Sequence, residues 1–199
     1  LHSTLMSALP EPSPRRPIHQ RRISFDGYRR DDGLWDIDCT LTDVKGIPAP
    51  LHERGVVPPG EPIHEMRVRL TLDDGFTIRD AQAAMTYVPF GECHRAAEAP
   101  LRALIGLTIG RGWRKALNEA MGGTAGCTHL RELIFNAATA AFQMIPHYLD
   151  SAGGTRRPSH PPGSTPPFYM GQCMSWALDG PVVARVAPQF AVVGSGGKA

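Results

Sequence analysis

The chain reads as an α+β domain: a mainly antiparallel sheet of three or more strands, with a long C-terminal amphipathic helix and shorter helices packed on it. Three observations predict this. Apolar residues alternate with polar ones along Trp35, Ile37, Cys39 and Leu41, and again along Met66, Val68, Leu70 and Leu72, the period of strands with one buried face. Asp32-Gly33 and Asp73-Asp74-Gly75 supply turn residues beside these segments, so neighbouring strands are expected to run antiparallel. Further on the period changes: Leu130, Leu133, Ile134, Ala137, Ala138, Ala141, Phe142 and Ile145 fall at the spacing of one helical face.

In chain order, residues 1–17 are rich in Pro and Ser and too poor in apolar surface to order themselves, so a disordered tail is expected before a main domain spanning 18–150. Arg21, Arg22, Arg29 and Arg30 flank Ile23-Ser24-Phe25, a strand with basic ends, with Asp26, Asp31 and Asp32 close by. Such a strand is either solvated and locally ion-paired or an anion-binding patch. In the next strand Cys39 falls on the apolar face and is assigned to the core. Residues 46–62 carry five prolines and three glycines and predict a long irregular excursion. His64 then opens a strand whose Arg67, Arg69 and Thr71 face away from the core, and Phe76, Ile78, Ala81, Ala83, Met85 and Tyr87 form the returning strand, with a change of phase near Asp80.

Pro89-Phe90-Gly91 ends that meander. Cys93-His94 precedes a helical stretch with Ala96, Ala97, Leu101, Leu104 and Ile105, a second short helix is expected from Arg111 to Met121, and the long helix from Thr128 to Tyr148. Residues 151–167 contain five prolines and three glycines and read as a linker. Beyond it, 168–193 predicts a small hairpin turning at Asp179-Gly180-Pro181, docked on the main domain because a lone hairpin is too small to be stable.

A net charge of +2 selects neither for nucleic acid nor for a membrane surface, and no apolar run approaches the length of a membrane span. A cytoplasmic protein is expected. In that compartment Cys39, Cys93, Cys127 and Cys173 read as thiols or ligands and not as disulfides. No Gly-rich phosphate loop, HExxH helix, GxSxG elbow or CxxC pair is present, which removes the common nucleotide, zinc-protease, serine-hydrolase and thioredoxin readings.

What chemistry remains centres on Gly126-Cys127-Thr128-His129. A cysteine where a helix begins meets unpaired N–H groups and the positive end of the dipole, which favour thiolate and metal ligation. His64 stands at a strand start, Cys93 at a strand-to-helix turn, His129 two residues beyond Cys127, and Cys173 in the last segment. Zinc and iron are held by such side chains projected from element ends, so His64, Cys93, Cys127, His129 and Cys173 are the candidate ligands and zinc or iron the candidate cofactor.

Several stretches carry a family likeness: Tyr28-Arg29-Arg30-Asp31-Asp32-Gly33-Leu34-Trp35-Asp36-Ile37, Leu41-Thr42-Asp43, Ile63-His64-Glu65-Met66, Arg69-Leu70-Thr71, Ile78-Arg79-Asp80-Ala81 and Gly126-Cys127-Thr128-His129-Leu130. Together they resemble a bacterial family known as domain of unknown function 2889, over about Arg21 to Phe190. A more distant likeness is to iron-sulfur cluster scaffold proteins, in which a hairpin strand, a cysteine after the hairpin and a cysteine at the last helix surround the cluster. That likeness implies Cys93 and Cys127 as ligands with His64 at the strand position, but the chain has no cysteine on that strand and adds Cys173, which suits a mononuclear zinc or iron better than a transferable cluster.

Three function classes follow. One is a metalloprotein acting on a small-molecule substrate, with an open position that activates water or a substrate oxygen. Another is a sulfur or iron-sulfur cluster carrier using Cys127. The last is a non-catalytic accessory module with core cysteines, whose arginine-rich strand meets a partner protein.

Overall fold

The computed structural model describes residues 9–152, 165–167 and 169–192. The chain divides into two compact units, Leu1–Ala141 and Phe142–Ala199. In the first unit, four strands form one sheet: β1 (His19–Arg29), β2 (Trp35–Lys45), β5 (Pro62–Leu72) and β6 (Ile78–Tyr87), in the order β1-β2-β5-β6. Every neighbouring pair is antiparallel. The alternation in the sequence sets the inner face. Trp35 pairs with Leu72, Ile37 with Leu70, Cys39 with Val68 and Leu41 with Met66, and all eight are buried. The β1–β2 turn needs Gly33 at φ +84°, a conformation that costs a Cβ-bearing residue strain, while Asp32 Oδ1 accepts the Leu34 N–H at 3.2 Å.

Proline and glycine do not keep residues 46–62 wholly irregular. A small hairpin forms there, β3 (Ala49–Leu51) with β4 (Gly55–Val57), turning over residues 52–54 into Gly55 at φ +67° and buried only at Val57. Thr71, expected on the solvent side, is buried, because its hydroxyl donates to Asp36 Oδ1 at 2.7 Å.

After β6 a 3-10 segment (Gly91–Ala97) leads into α1 (Ala99–Arg102), and α2 (Trp113–Met121) buries Trp113, Leu117 and Met121. The long helix α3 (Thr128–Ala152) packs against the sheet, with Leu130, Leu133, Ile134, Ala137, Ala138 and Ala141 all buried, as their helical spacing predicts. Burying each such leucine or isoleucine contributes ~1.5–3 kcal/mol against the entropy of ordering the chain. No helix among the described residues is long and apolar enough to cross a membrane.

Residues 9–17 are exposed and carry no helix or strand. The expected linker over 151–167 falls outside the described residues at 153–164, and Ser151 and Ala152 still belong to α3. The expected C-terminal hairpin is not formed. Residues 169–180 run as turns, followed by α4 (Pro181–Val186) and a 3-10 turn at Pro188–Phe190. Proline in the first turn and the i, i+4, i+7 spacing of Val183, Ala187 and Phe190 dictate this, since all three are buried together with Met170. The Val-Val pair suggests a strand, but the helical period governs.

Candidate metal centre

The inner face of β2 does not end at Leu41. Its alternation runs one step further, to Asp43, which puts a carboxylate on the next buried position, 2% exposed. The register sets Asp43 opposite Arg21 on β1 and opposite His64 on β5, so these three form one rung across the sheet, and the β2–β5 register shifts immediately beyond it. His64 Nδ1 lies 3.2 Å from Asp43 Oδ2.

The third group comes from the start of α3. The Cys127 carbonyl accepts the Arg131 N–H at 2.9 Å, making Cys127 the cap and placing His129 in the first turn. Gly126 permits that approach, because a Cβ there would lie 2.7 Å from the Met121 carbonyl oxygen at the end of α2. His129 Nε2 stands 4.0 Å from Asp43 Oδ2, and its ring lies against that of His64 with centroids 4.1 Å apart and planes at 35°.

Arg21 grips the carboxylate through both oxygens, Nε to Oδ1 at 2.7 Å and Nη2 to Oδ2 at 2.6 Å, and His19 Nε2 lies 3.3 Å from Oδ1. Burial alone would raise the Asp43 pKa. The Arg21 hydrogen bond and charge, with His64 and His19 nearby, outweigh it and hold the group below the usual carboxylate range, so Asp43 is an anion at neutral pH. Burial pushes His64 below the ordinary imidazole value, as does the neighbouring His129, against the pull of Asp43. Burial lowers His129 likewise, with Arg21 adding to it. Both rings are therefore held neutral, the form that ligates metal.

Asp43, His64 and His129 each offer one ligand atom, and these atoms all lie within 4.8 Å of one another. Two ligands bound at about 2.1 Å to a tetrahedral ion stand ~3.4 Å apart, so the 3.2 Å pair already lies close to that spacing, the 4.0 Å pair has to close by a fraction of an ångström, and the two histidine nitrogens start within 4.8 Å. Carboxylate oxygens carry about four lone-pair sites between them, so the two Arg21 bonds leave Oδ2 able to face an ion.

Of the residues singled out in the sequence, His64 and His129 meet here. Cys127 is adjacent but outside the group: its Sγ is 3.9 Å from His129 Nδ1, the ring nitrogen other than the one toward Asp43. Cys93 and Cys127 line one cavity of about 590 Å³ together with Phe90, Glu92, Arg95 and Thr124. Burial raises the Cys93 thiol pKa, and the nearby Cys127 adds to the rise. Cys173 is exposed, in the second unit, and is not a member of the group. Cys39 is buried, with its thiol pushed up to about 12 by burial, as its core assignment requires. Asp43 and His19 are not among the residues that sequence reasoning picks out for the site, and Arg21 enters there only as part of a basic strand. The signal for Asp43 is its parity: an acid on the apolar phase of a strand.

Fold and cluster together define a class, an α+β domain with two half-buried histidines and one buried carboxylate at the end of its sheet. A family model described as "Protein of unknown function (DUF2889)" matches residues 19–143, and the chain belongs to that family. Neither a curated protein nor a solved structure matches the chain.

Proposed function

We propose that this domain binds a single zinc or iron ion through Asp43 Oδ2, His64 Nδ1 and His129 Nε2, and acts on a small molecule there. The observation that carries the reading is the convergence of these three ligand atoms, from β2, β5 and α3, at a buried end of the sheet. Three protein ligands leave a coordination position open for water or a substrate oxygen, the pattern of catalytic zinc and of two-histidine, one-carboxylate iron sites. Cys127 backs His129: with Nε2 toward the ion, the Nδ1 N–H is free to donate to the sulfur and fix the ring's tautomer. The cavity beside Cys127 falls within the ~300–1,000 Å³ of small-molecule sites and offers a substrate its polar lining of Glu92, Arg95, Glu98 and Thr124.

Elemental analysis of protein purified without added metal, followed by titration of the apo form, tests this. Stoichiometric metal that is lost in both His64→Ala and His129→Ala supports the reading. Protein that takes up neither zinc nor iron would sink it, and Asp43 would then be a buried ion-pair hub for Arg21.

A second reading, a sulfur or iron-sulfur carrier, is favoured by the placement of Cys93 and Cys127 on one cavity wall with a histidine against Cys127. It differs in its requirement. Loss of bound metal or sulfane sulfur in Cys93→Ser, with His64→Ala harmless, would select it over the first.

A further inference from the structure

The first strand is unusual in what it leaves uncovered. Of the eleven residues of β1 every one except Phe25 is exposed, including Ile23 at 41% and Tyr28 at 52%. β1 ends the strand order, and among the described residues only β2 pairs with it, so none of them covers its other edge. The opposite edge of the sheet is guarded at its start, where Ile78 donates to the Leu107 carbonyl, Gly106 donates to the Ile78 carbonyl, and Thr77 bridges Thr108.

The parity of the open edge can be read from its ends. The Ile18 carbonyl accepts the Gly46 N–H and the Arg30 N–H donates to the Leu34 carbonyl, both at 2.9 Å. Antiparallel ladders alternate, so the even-numbered residues of β1 bond to β2. The N–H and C=O groups of His19, Arg21, Ile23, Phe25, Gly27 and Arg29 therefore point away from the sheet. An open row of this kind is a template for another strand.

We infer that the occupant is a second copy of the same strand, paired antiparallel about a two-fold axis at Ser24 to give an eight-stranded sheet. This register uses all eleven residues, ~37 Å of ladder, and brings outward-facing residues opposite outward-facing residues. It sets Arg22 against Asp26 of the second copy, twice by symmetry, on the outer face. On the inner face it sets Ile23 against Phe25 of the second copy, again twice, an aromatic and β-branched pairing that stabilises sheets. Shifting the axis by one residue either way removes both matches: Arg22 then meets Ser24 or Tyr28. Arg22 and Asp26 of β1 are thus complementary to each other when the strand is reversed on itself, which an edge protected simply by charge does not require. The inference is independent of any metal.

Sedimentation velocity on the full chain tests it. The expected result is a species of twice the 21.6 kDa chain mass. Arg22→Asp and Asp26→Arg each replace two attractions by two repulsions and should weaken association about tenfold or more, while R22D/D26R restores it. A wild-type monomer at the highest soluble concentration, or a dimer indifferent to both single changes, overturns the proposal. Amide exchange requires no variant. The outward N–H groups of Arg21, Ile23, Phe25 and Gly27 should slow as protein concentration rises, and equal rates at low and high concentration would equally overturn it.

Discussion

Two ends of one sheet face differ in what they bury. From Trp35 and Leu72 to Leu41 and Met66 the paired positions of β2 and β5 are apolar, and one step beyond, with the same geometry and a carboxylate that is nearly inaccessible, the pair is Asp43 and His64. The apolar rungs stabilise the domain by leaving water. The polar rung has to be satisfied residue by residue, by Arg21, His19, His64 and His129, and this requirement brings ionisable groups from four elements to one point. A buried polar rung in an otherwise apolar ladder gives up hydrophobic stabilisation and depends instead on its hydrogen-bond and charge partners.

Removing the carboxylate should break that contrast most severely. Asp43→Ala strands Arg21 and two half-buried histidines, and an expected loss of about 3 kcal/mol in urea unfolding should accompany complete loss of bound metal. Leu70→Ala, three rungs away on the inner face, should cost a comparable ~2–4 kcal/mol by cavity formation yet leave metal stoichiometry unchanged in elemental analysis. Metal loss in Leu70→Ala, or metal retention in Asp43→Ala, would erase the distinction between the rungs.

His64→Gln and His129→Gln should each weaken zinc affinity at least ~10-fold in competition titrations, because each removes one of three ligands, while stability changes by no more than about 1 kcal/mol. Calorimetric unfolding of the same variants separates the two readouts.

The smallest effect sharpens the comparison through pH. In the metal-free protein both His64 and His129 are held below the ordinary imidazole value of about 6.5, so below that pH the unfolded chain binds more protons than the native one. Stability should therefore fall as pH drops from about 6.5. Asp43 adds a second decline as pH falls through and below the usual carboxylate range, since its folded pKa is depressed. Urea midpoints between pH 7.5 and 5 should show a shallower slope in the double variant H64Q/H129Q than in wild type, whereas Leu70→Ala should keep the wild-type slope.

Much of the fold is legible in the sequence because periodicity is a local property. The alternation of Trp35 to Leu41 and the spacing of Leu130 to Ala141 each name a buried face without reference to any other element. The site is legible only in part. His64 and His129 stand out as ionisable groups at element ends, but their meeting depends on the register that sets Asp43 against His64 across the intervening β3–β4 hairpin, and no spacing encodes that. Following the β2 alternation one step past Leu41, two residues on, reaches Asp43. The cysteines draw attention by reactivity; strand parity already sets Cys39 in the core, but only the structure separates Cys127, against a histidine, from exposed Cys173. At Val183, Ala187 and Phe190 a local β-propensity competed with a helical period, and packing chose the period.

The close, tilted approach of the His64 and His129 rings gives the protein a built-in spectroscopic reporter. Each imidazole lies within the shielding region of the other, with centroids 4.1 Å apart, so the ring-proton resonances of both should be displaced upfield from those of exposed histidines such as His94. Any event that moves one ring against the other, whether an ion held by their nitrogens or a shift of the helix, would move those two sets of lines together. Magnetic resonance on side chains could thus follow occupancy of the site in real time without a chromophore, a label or a known substrate.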